Sequence, residues 1–71
     1  MIRNNLRDIR MAEFKMSQTD FCKLLNQGLG ETISTTQYNN WERSYSFPKL
    51  EMAIIIAKIL NKHVNDIWYA E

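Results

Sequence analysis

The sequence predicts an all-α domain of five helices, and three observations support this prediction. The chain has 71 residues, which is enough for a single domain over residues 1–71. Apolar residues make up 45% of it and recur at helical spacing, and no segment alternates regularly enough to be a strand. Gly28, Gly30 and Pro48 are the only glycines and the only proline, so they mark two main loops rather than many turns.

The first two helices are predicted from an apolar stripe and from a capping residue. The stripe begins with Ile2 and Leu6 and continues at helical spacing, which places the first helix at residues 2–13. Ser17 is a favourable N-cap, and apolar residues follow a polar first turn after it. We therefore place a second helix at residues 18–26.

Capping and loop residues also define the three remaining helices. Ser34, with a glutamine three residues later, has the capping-box pattern and opens a third helix at residues 35–43. Pro48 presets the entry into a fourth helix at residues 49–61. A short fifth helix at residues 64–69 closes the chain.

Composition argues against several classes of function. The single cysteine, Cys22, excludes an intramolecular disulfide, and with the single histidine, His63, it cannot form a conventional zinc site. We see no acid–base or metal cluster, so we expect no enzyme activity, metal or small-molecule cofactor. The longest apolar run, residues 52–57, is too short to span a membrane, and there is no secretory signal, so we expect a cytoplasmic protein. The net charge of +1 argues neither for nor against nucleic acid.

The outward face of the third helix has an unusual composition. Tyr38 and Trp41 lie three residues apart and face the core, which leaves a polar face consisting of Thr35, Thr36, Asn39, Asn40 and Arg43. Threonine and asparagine are mediocre helix formers, but they suit base edges: asparagine pairs with adenine, and a threonine methyl contacts thymine. A merely solvated helix gives the same pattern, so this face alone leaves both interpretations open.

The order of motifs along the chain resembles one family of DNA-binding domains. Residues 6–10 (LRDIR), 16–22 (MSQTDFC) and 34–43 (STTQYNNWER) resemble the first three helices of the lambdoid Cro/repressor family, also called the xenobiotic-response-element family. Pro48 and the apolar spacing over residues 50–67 continue the match. The resemblance implies a five-helix, lambda-repressor-like helix-turn-helix domain in which the third helix reads DNA.

Two departures from the family pattern concern the third helix. The link at residues 26–33 makes the connection between the second and third helices about six residues longer than the family's tight turn. Ser44 stands where the family often has a glycine. The longer link puts the docking angle of the third helix in question.

The resemblance also implies roles for individual residues. Recognition helices of this type reach bases chiefly through their N-terminal part, so the expected base contacts are Thr35, Thr36, Asn39 and Asn40. The expected phosphate contacts are Gln18, Arg43, Tyr45 and Ser46. Arg10 and Glu42 resemble a partly buried ion pair that ties the first helix to the end of the third.

The fourth helix carries more apolar residues than a core face needs. The face predicted to point inward consists of Leu50, Ala53, Ile56, Ala57 and Leu60. Met52, Ile55 and Ile59 then point outward and, together with Trp68, form a predicted dimer interface. Alternatively, several of these residues pack under the long link or the chain ends.

These observations predict a sequence-specific transcriptional regulator of the Cro/repressor type. It would bind double-stranded DNA as a homodimer, with the third helix in the major groove. The alternative is a protein-interaction module, such as an antirepressor or an antitoxin, that uses the apolar face of the fourth helix.

Overall fold

Five helices pack around one core, and the two chain ends pair beside them as a short antiparallel sheet. The structure is a computed structural model that describes residues 1–71. Helix α1 starts as an α-helix at Leu6–Asp8 and continues as a π-helix at Ile9–Phe14; it is followed by α2 (Gln18–Gly28), α3 (Thr35–Glu42), α4 (Leu50–Ile59) and α5 (Val64–Ile67). The predicted five-helix architecture is confirmed, with an additional pair of strands.

The strands correct the prediction at both ends of the chain. Strand β1 (Ile2–Asn4) pairs with β2 (Trp68–Ala70), and Arg3 lies opposite Tyr69. The first helix therefore begins at Leu6 rather than residue 2, and α5 ends at Ile67 rather than residue 69. Each strand is only three residues long and obtains its hydrogen bonds from the other end of the chain, which local periodicity does not reveal.

The inner helix ends follow the capping residues. The Ser17 hydroxyl accepts the Asp20 N–H at 3.1 Å and starts α2, as predicted. At the other end α2 runs two residues beyond the predicted boundary, to Gly28. Asn61 adopts a left-handed conformation (φ 57°) after α4, which suits asparagine at a helix C-terminus.

The core is built around a run of aromatic rings that pack edge-to-face or tilted against one another. Phe21 of α2 lies between Phe14 and Tyr38, with ring centroids 5.3 and 5.6 Å away, and Tyr38 contacts Trp41 at 6.4 Å. The largest side chains with almost no exposed surface are Trp41, Tyr38, Phe21, Leu6, Leu25, Ile56 and Ile67. The inner side of α3 is thus fixed against α2 by aromatic packing.

The long link between α2 and α3 is ordered by one asparagine. The Asn26 side chain donates to the Ile33 carbonyl at 3.1 Å and accepts the Ile33 N–H at 2.9 Å. This pair of hydrogen bonds satisfies both backbone groups of Ile33 and closes the loop. The Cys22 thiol donates to the same carbonyl at 3.3 Å. Gly28 lies so close to α4 that a Cβ atom would sit 2.6 Å from Cδ1 of Ile59. The link therefore packs onto α4 instead of separating α2 from α3.

Candidate nucleic-acid interface

Helix α3 begins where the capping pattern places it. The Ser34 hydroxyl accepts the Gln37 N–H at 3.0 Å, so Thr35 is the first helical residue, and the helix ends at Glu42, one residue before the predicted end. Tyr38 and Trp41 are buried. Burial of this side leaves the opposite side of α3 facing solvent.

The outward side of α3 carries the predicted base-contacting residues. Thr35 and Thr36 are exposed, and Asn39 and Asn40 are half-buried. Gln37 is also exposed, although it is not among the base contacts predicted from the sequence. The side chains of Thr36 and Asn40 have no hydrogen-bond partner within the chain, whereas the Asn40 carbonyl accepts the Tyr45 N–H at 2.9 Å. The backbone of Asn40 is therefore fixed while its side-chain amide is free.

A buried ion pair anchors the end of α3 to α1. Arg10 donates from Nε to Glu42 Oε2 at 2.8 Å and from Nη2 to Oε1 at 3.3 Å, and Nη1 donates to the Met16 carbonyl at 2.9 Å. Only 12% of the Arg10 side chain and 5% of the Glu42 side chain are exposed. The structure thus brings together the two residues that the family resemblance pairs.

The environment of this pair keeps both groups charged. Burial alone raises the pKa of the Glu42 carboxyl, but the hydrogen bonds that it accepts, led by that from Arg10, outweigh burial and lower the pKa below its ordinary value. The hydrogen bond to Glu42 raises the pKa of Arg10 despite desolvation. The Tyr38 hydroxyl is buried nearby. Its burial and, to a smaller extent, the neighbouring Glu42 carboxylate raise the pKa of this hydroxyl, so it stays neutral.

Gln18 is committed to contacts within the chain. Its amide nitrogen donates to Glu42 Oε1 at 3.0 Å and to Asn39 Oδ1 at 2.9 Å. Both hydrogens of this amide are thereby used, so the Gln18 side chain has no donor left for the phosphate that the resemblance implies. Its backbone N–H and that of Thr19, in the first turn of α2, have no partner within the chain.

The loop after α3 is held by Asn4, a residue to which the sequence pattern assigns no role. Asn4 donates to the Trp41 carbonyl at 2.8 Å and to the Ser44 hydroxyl at 3.2 Å, and it accepts the Leu6 N–H. Ser44 has a φ of 61°, the left-handed conformation that explains the frequent glycine at this position in the family. The sequence does not reveal that Asn4 holds this loop, because the two loop partners lie 37 and 40 residues away.

Arg43 and Tyr45 form a small cationic surface beside α3. Arg43 donates to the Tyr45 hydroxyl at 2.7 Å, and its guanidinium carbon lies 4.4 Å from the centre of the Tyr45 ring. Both side chains are exposed, and Ser46 next to them is half-buried. The predicted phosphate contacts of this loop therefore lie together at the C-terminal end of α3.

The predicted inward and outward faces of α4 need correction. Met52, predicted to point outward, is buried with 8% exposure, whereas Leu50, predicted to point inward, is 72% exposed. The long link accounts for Met52, because Leu29 and Glu31 lie beside it and line one cavity with Met52 and Ile55. Ile59 likewise lies against Gly28 and packs on the core. The alternative that these residues pack under the link is correct for Met52 and Ile59.

The exposed apolar surface lies elsewhere on the molecule. We define the apolar patch as the residues around one shallow cavity between the N-terminus of α4 and the paired chain ends: Ile2, Phe47, Pro48, Leu50, Ala53, Val64 and Trp68. Ile2 and Phe47 are 42% and 48% exposed. Of the predicted dimer residues, only Trp68 belongs to this patch.

Two further features concern other classes of function. No group of three or more histidine, cysteine or acidic side chains is arranged to hold a metal ion. None of the helices combines the length and the apolar composition needed to cross a membrane.

Comparison with known proteins assigns the family. The sequence model of a helix-turn-helix family, HTH_3 of the Cro/C1 type, matches residues 6–67, which run from the start of α1 to the end of α5. Among curated proteins, none matches this chain. The match spans the capped helix α3, its ion pair to α1 and the loop that follows, and the chain therefore belongs to the Cro/C1-type helix-turn-helix family of DNA-binding transcription regulators.

Proposed function

We propose that this protein is a sequence-specific transcriptional regulator of the Cro/repressor type that binds double-stranded DNA as a homodimer in the cytoplasm. One observation carries the proposal. Helix α3 presents polar side chains without partners, Thr36 and Asn40, on a helix whose opposite side is fixed by aromatic packing and a buried ion pair. A rigid helix with free donors and acceptors is what base readout in the major groove requires.

The base contacts are assigned to the exposed side of α3. Asn40 has a free amide, so it is suited to pair bidentately with an adenine, which offers one acceptor and one donor in the major groove. Thr35 and Thr36 lie in the first turn, where recognition helices approach the base edges, and their methyl groups suit thymine. Arg43, one residue after the helix, is assigned to a phosphate rather than to the groove floor.

The phosphate contacts follow from the free donors on both sides of α3. The unpartnered N–H groups of Gln18 and Thr19 lie at the positive end of α2, where an anion is favoured. Gln18 therefore contributes its backbone, not its side chain. At the other side, Arg43, Tyr45 and Ser46 form the second phosphate-binding segment. Such contacts fix register and affinity without reading sequence.

The apolar patch is proposed as the dimer interface. A homodimer places two recognition helices about one turn of DNA apart, so that they read a near-palindrome. Phe47 and Leu50 extend the patch to the loop that follows α3, which brings a second copy close to the recognition helices. Sedimentation should show a concentration-dependent dimer that Leu50→Glu weakens, while Met11→Glu, at another exposed apolar residue, leaves it unchanged. A monomer at millimolar concentration would contradict the dimer.

Selection from a random duplex library tests DNA recognition itself. We expect an enriched motif with two-fold symmetry and an affinity that falls steeply as the salt concentration rises. The apolar patch also favours a second candidate function, the protein-interaction module, for which no motif would be enriched. Failure to enrich any duplex sequence would therefore contradict the proposal and favour that second candidate.

A further inference from the structure

A continuous chain of hydrogen bonds leads from the buried ion pair to the outward side of α3. Arg10 donates to Glu42, and Gln18 donates to Glu42 Oε1 at 3.0 Å. The second hydrogen of the same Gln18 amide goes to Asn39 Oδ1 at 2.9 Å. The chain therefore connects a charged group at the base of α3 with a side chain on the proposed DNA-binding face.

The charge of Glu42 sets the direction of every bond in this chain. An ionised carboxylate only accepts hydrogen bonds, so Gln18 must turn its NH2 group, and not its carbonyl oxygen, toward Glu42. The same NH2 group donates to Asn39, which must therefore accept with its carbonyl oxygen. The Asn39 NH2 group is then directed away from Gln18, and it has no partner within the chain. Asn39 therefore turns its NH2 donors, rather than its carbonyl oxygen, away from Gln18.

Asn39 and its neighbour Asn40 consequently differ in what they offer. The Asn40 amide has no partner, so it presents both an acceptor and a donor, as adenine requires. The Asn39 carbonyl oxygen is turned toward Gln18, so the group that Asn39 turns away from Gln18 is its NH2 donor. Guanine presents two acceptors and no donor in the major groove, and cytosine presents only a donor.

We propose that Asn39 is a specificity-determining residue that selects guanine and rejects cytosine at one position of each half-site, because Gln18 and Glu42 lock its amide with the donor outward. The inference rests on the proposed function and deepens it. Gln18 and Glu42 act as positioning residues, since they set the orientation of Asn39 without reading a base.

The test compares the motifs that variants select from a random duplex library. Wild-type protein should prefer guanine over cytosine at one position by at least about fivefold, the lower end of what a base contact contributes. Asn39→Asp keeps the acceptor for Gln18 but replaces the outward donor with an acceptor, so the preference at that position should reverse to cytosine. Gln18→Met removes the lock, so adenine should rise toward guanine at the same position. Asn40→Ala, the matched control, should relax a different position.

Two outcomes separate this inference from the proposed function. If wild-type protein enriches no motif, the proposed function fails and the inference fails with it. If a motif is enriched but Asn39→Asp and Asn39→Ala weaken binding to all sequences equally, the proposed function stands and Asn39 contacts only the DNA backbone. That result overturns the inference. Circular dichroism establishes that each variant is folded before selection.

A measurement without DNA tests the lock directly. In nuclear magnetic resonance of the wild-type protein, the side-chain NH2 protons of Gln18 should exchange slowly with water and those of Asn39 quickly. Glu42→Gln should accelerate the exchange at Gln18. Slow exchange at Asn39 would mean that its NH2 group is bonded within the chain, which overturns the inference.

Discussion

Helices α3 and α4 differ in how completely their own sequences determine which side faces solvent. The buried side of α3 is narrow, centred on Tyr38 and Trp41, and its outward residues match the periodicity. A broader arc of helix α4 is covered, because both the core and the link after α2 pack against it. Helical spacing therefore locates the outward face where the covering elements all lie on one narrow side, as in α3, and misplaces it where a loop covers a second side, as in α4.

The two helices also differ in what holds them. Helix α3 is tied by charged and polar contacts, from Arg10, Gln18 and Asn4. Helix α4 is held almost entirely by apolar packing, with Met52, Ala53, Ile56 and Ala57 buried. This contrast leads to four predictions about how α3 and α4 are held.

The largest effect is expected from breaking the ion pair of α3. Arg10→Met leaves the Glu42 carboxylate buried without its cation, which should lower the free energy of unfolding by about 3–5 kcal/mol. Urea denaturation measures the change. In a double-mutant cycle with Glu42→Gln, the two substitutions should be non-additive by about 0.5–3 kcal/mol. Simple additivity would show that the pair contributes nothing as a unit.

A pair of substitutions in α4 tests the corrected faces. Met52→Ala should lower the free energy of unfolding by about 2 kcal/mol or more, since it leaves a cavity under the link. Leu50→Ala, at the same helix and 72% exposed, should change it by less than about 0.5 kcal/mol. The two free energies are measured at a protein concentration where the chain is monomeric. An equal loss of unfolding free energy from both substitutions would contradict the corrected faces of α4.

The corrected faces show how far the sequence predicts this molecule. Capping residues place the starts of α2 and α3 correctly, because the Ser17 and Ser34 hydroxyls bond to backbone groups only three residues away. The strands and the role of Asn4 escape prediction, because their partners come from distant parts of the chain. For the site, residue type and spacing identify the outward residues of α3, but the hydrogen bonds that occupy the Gln18 side chain depend on how α2 packs against α3.

Acid should weaken the attachment of α3 more than that of α4. The pKa of Glu42 is lower in the folded chain than its ordinary value of 4.5. The ionised carboxylate therefore stabilises the fold at pH values above 4.5, and this stabilisation is lost as the pH falls below 4.5. The difference in unfolding free energy between wild type and Glu42→Gln should therefore shrink between roughly pH 6 and pH 3. The effect of Met52→Ala should stay constant over this range. A constant effect of Glu42→Gln would contradict the lowered pKa.

The smallest effects are expected at the two glycines of the link. Gly28→Ala inserts a Cβ atom 2.6 Å from Cδ1 of Ile59 and should destabilise by about 1 kcal/mol. Gly30→Ala meets no atom within 4 Å at a residue without positive φ, and it should stabilise by about 0.5 kcal/mol. Thermal unfolding of the two variants distinguishes them. Stabilisation by both would mean that the link does not press on α4.

Substitution of Asn40 shows whether the outward side of α3 reads bases. Wild type and Asn40→Ala are titrated with the preferred duplex and with a scrambled duplex at several salt concentrations. We expect Asn40→Ala to weaken binding to the preferred duplex by about 1–3 kcal/mol and to leave binding to the scrambled duplex and the salt dependence unchanged. Arg43→Ala, the comparison, should weaken both duplexes alike and flatten the salt dependence by roughly one ion per monomer. An unchanged ratio of preferred to scrambled binding in Asn40→Ala would contradict the assignment of α3 as the reading helix.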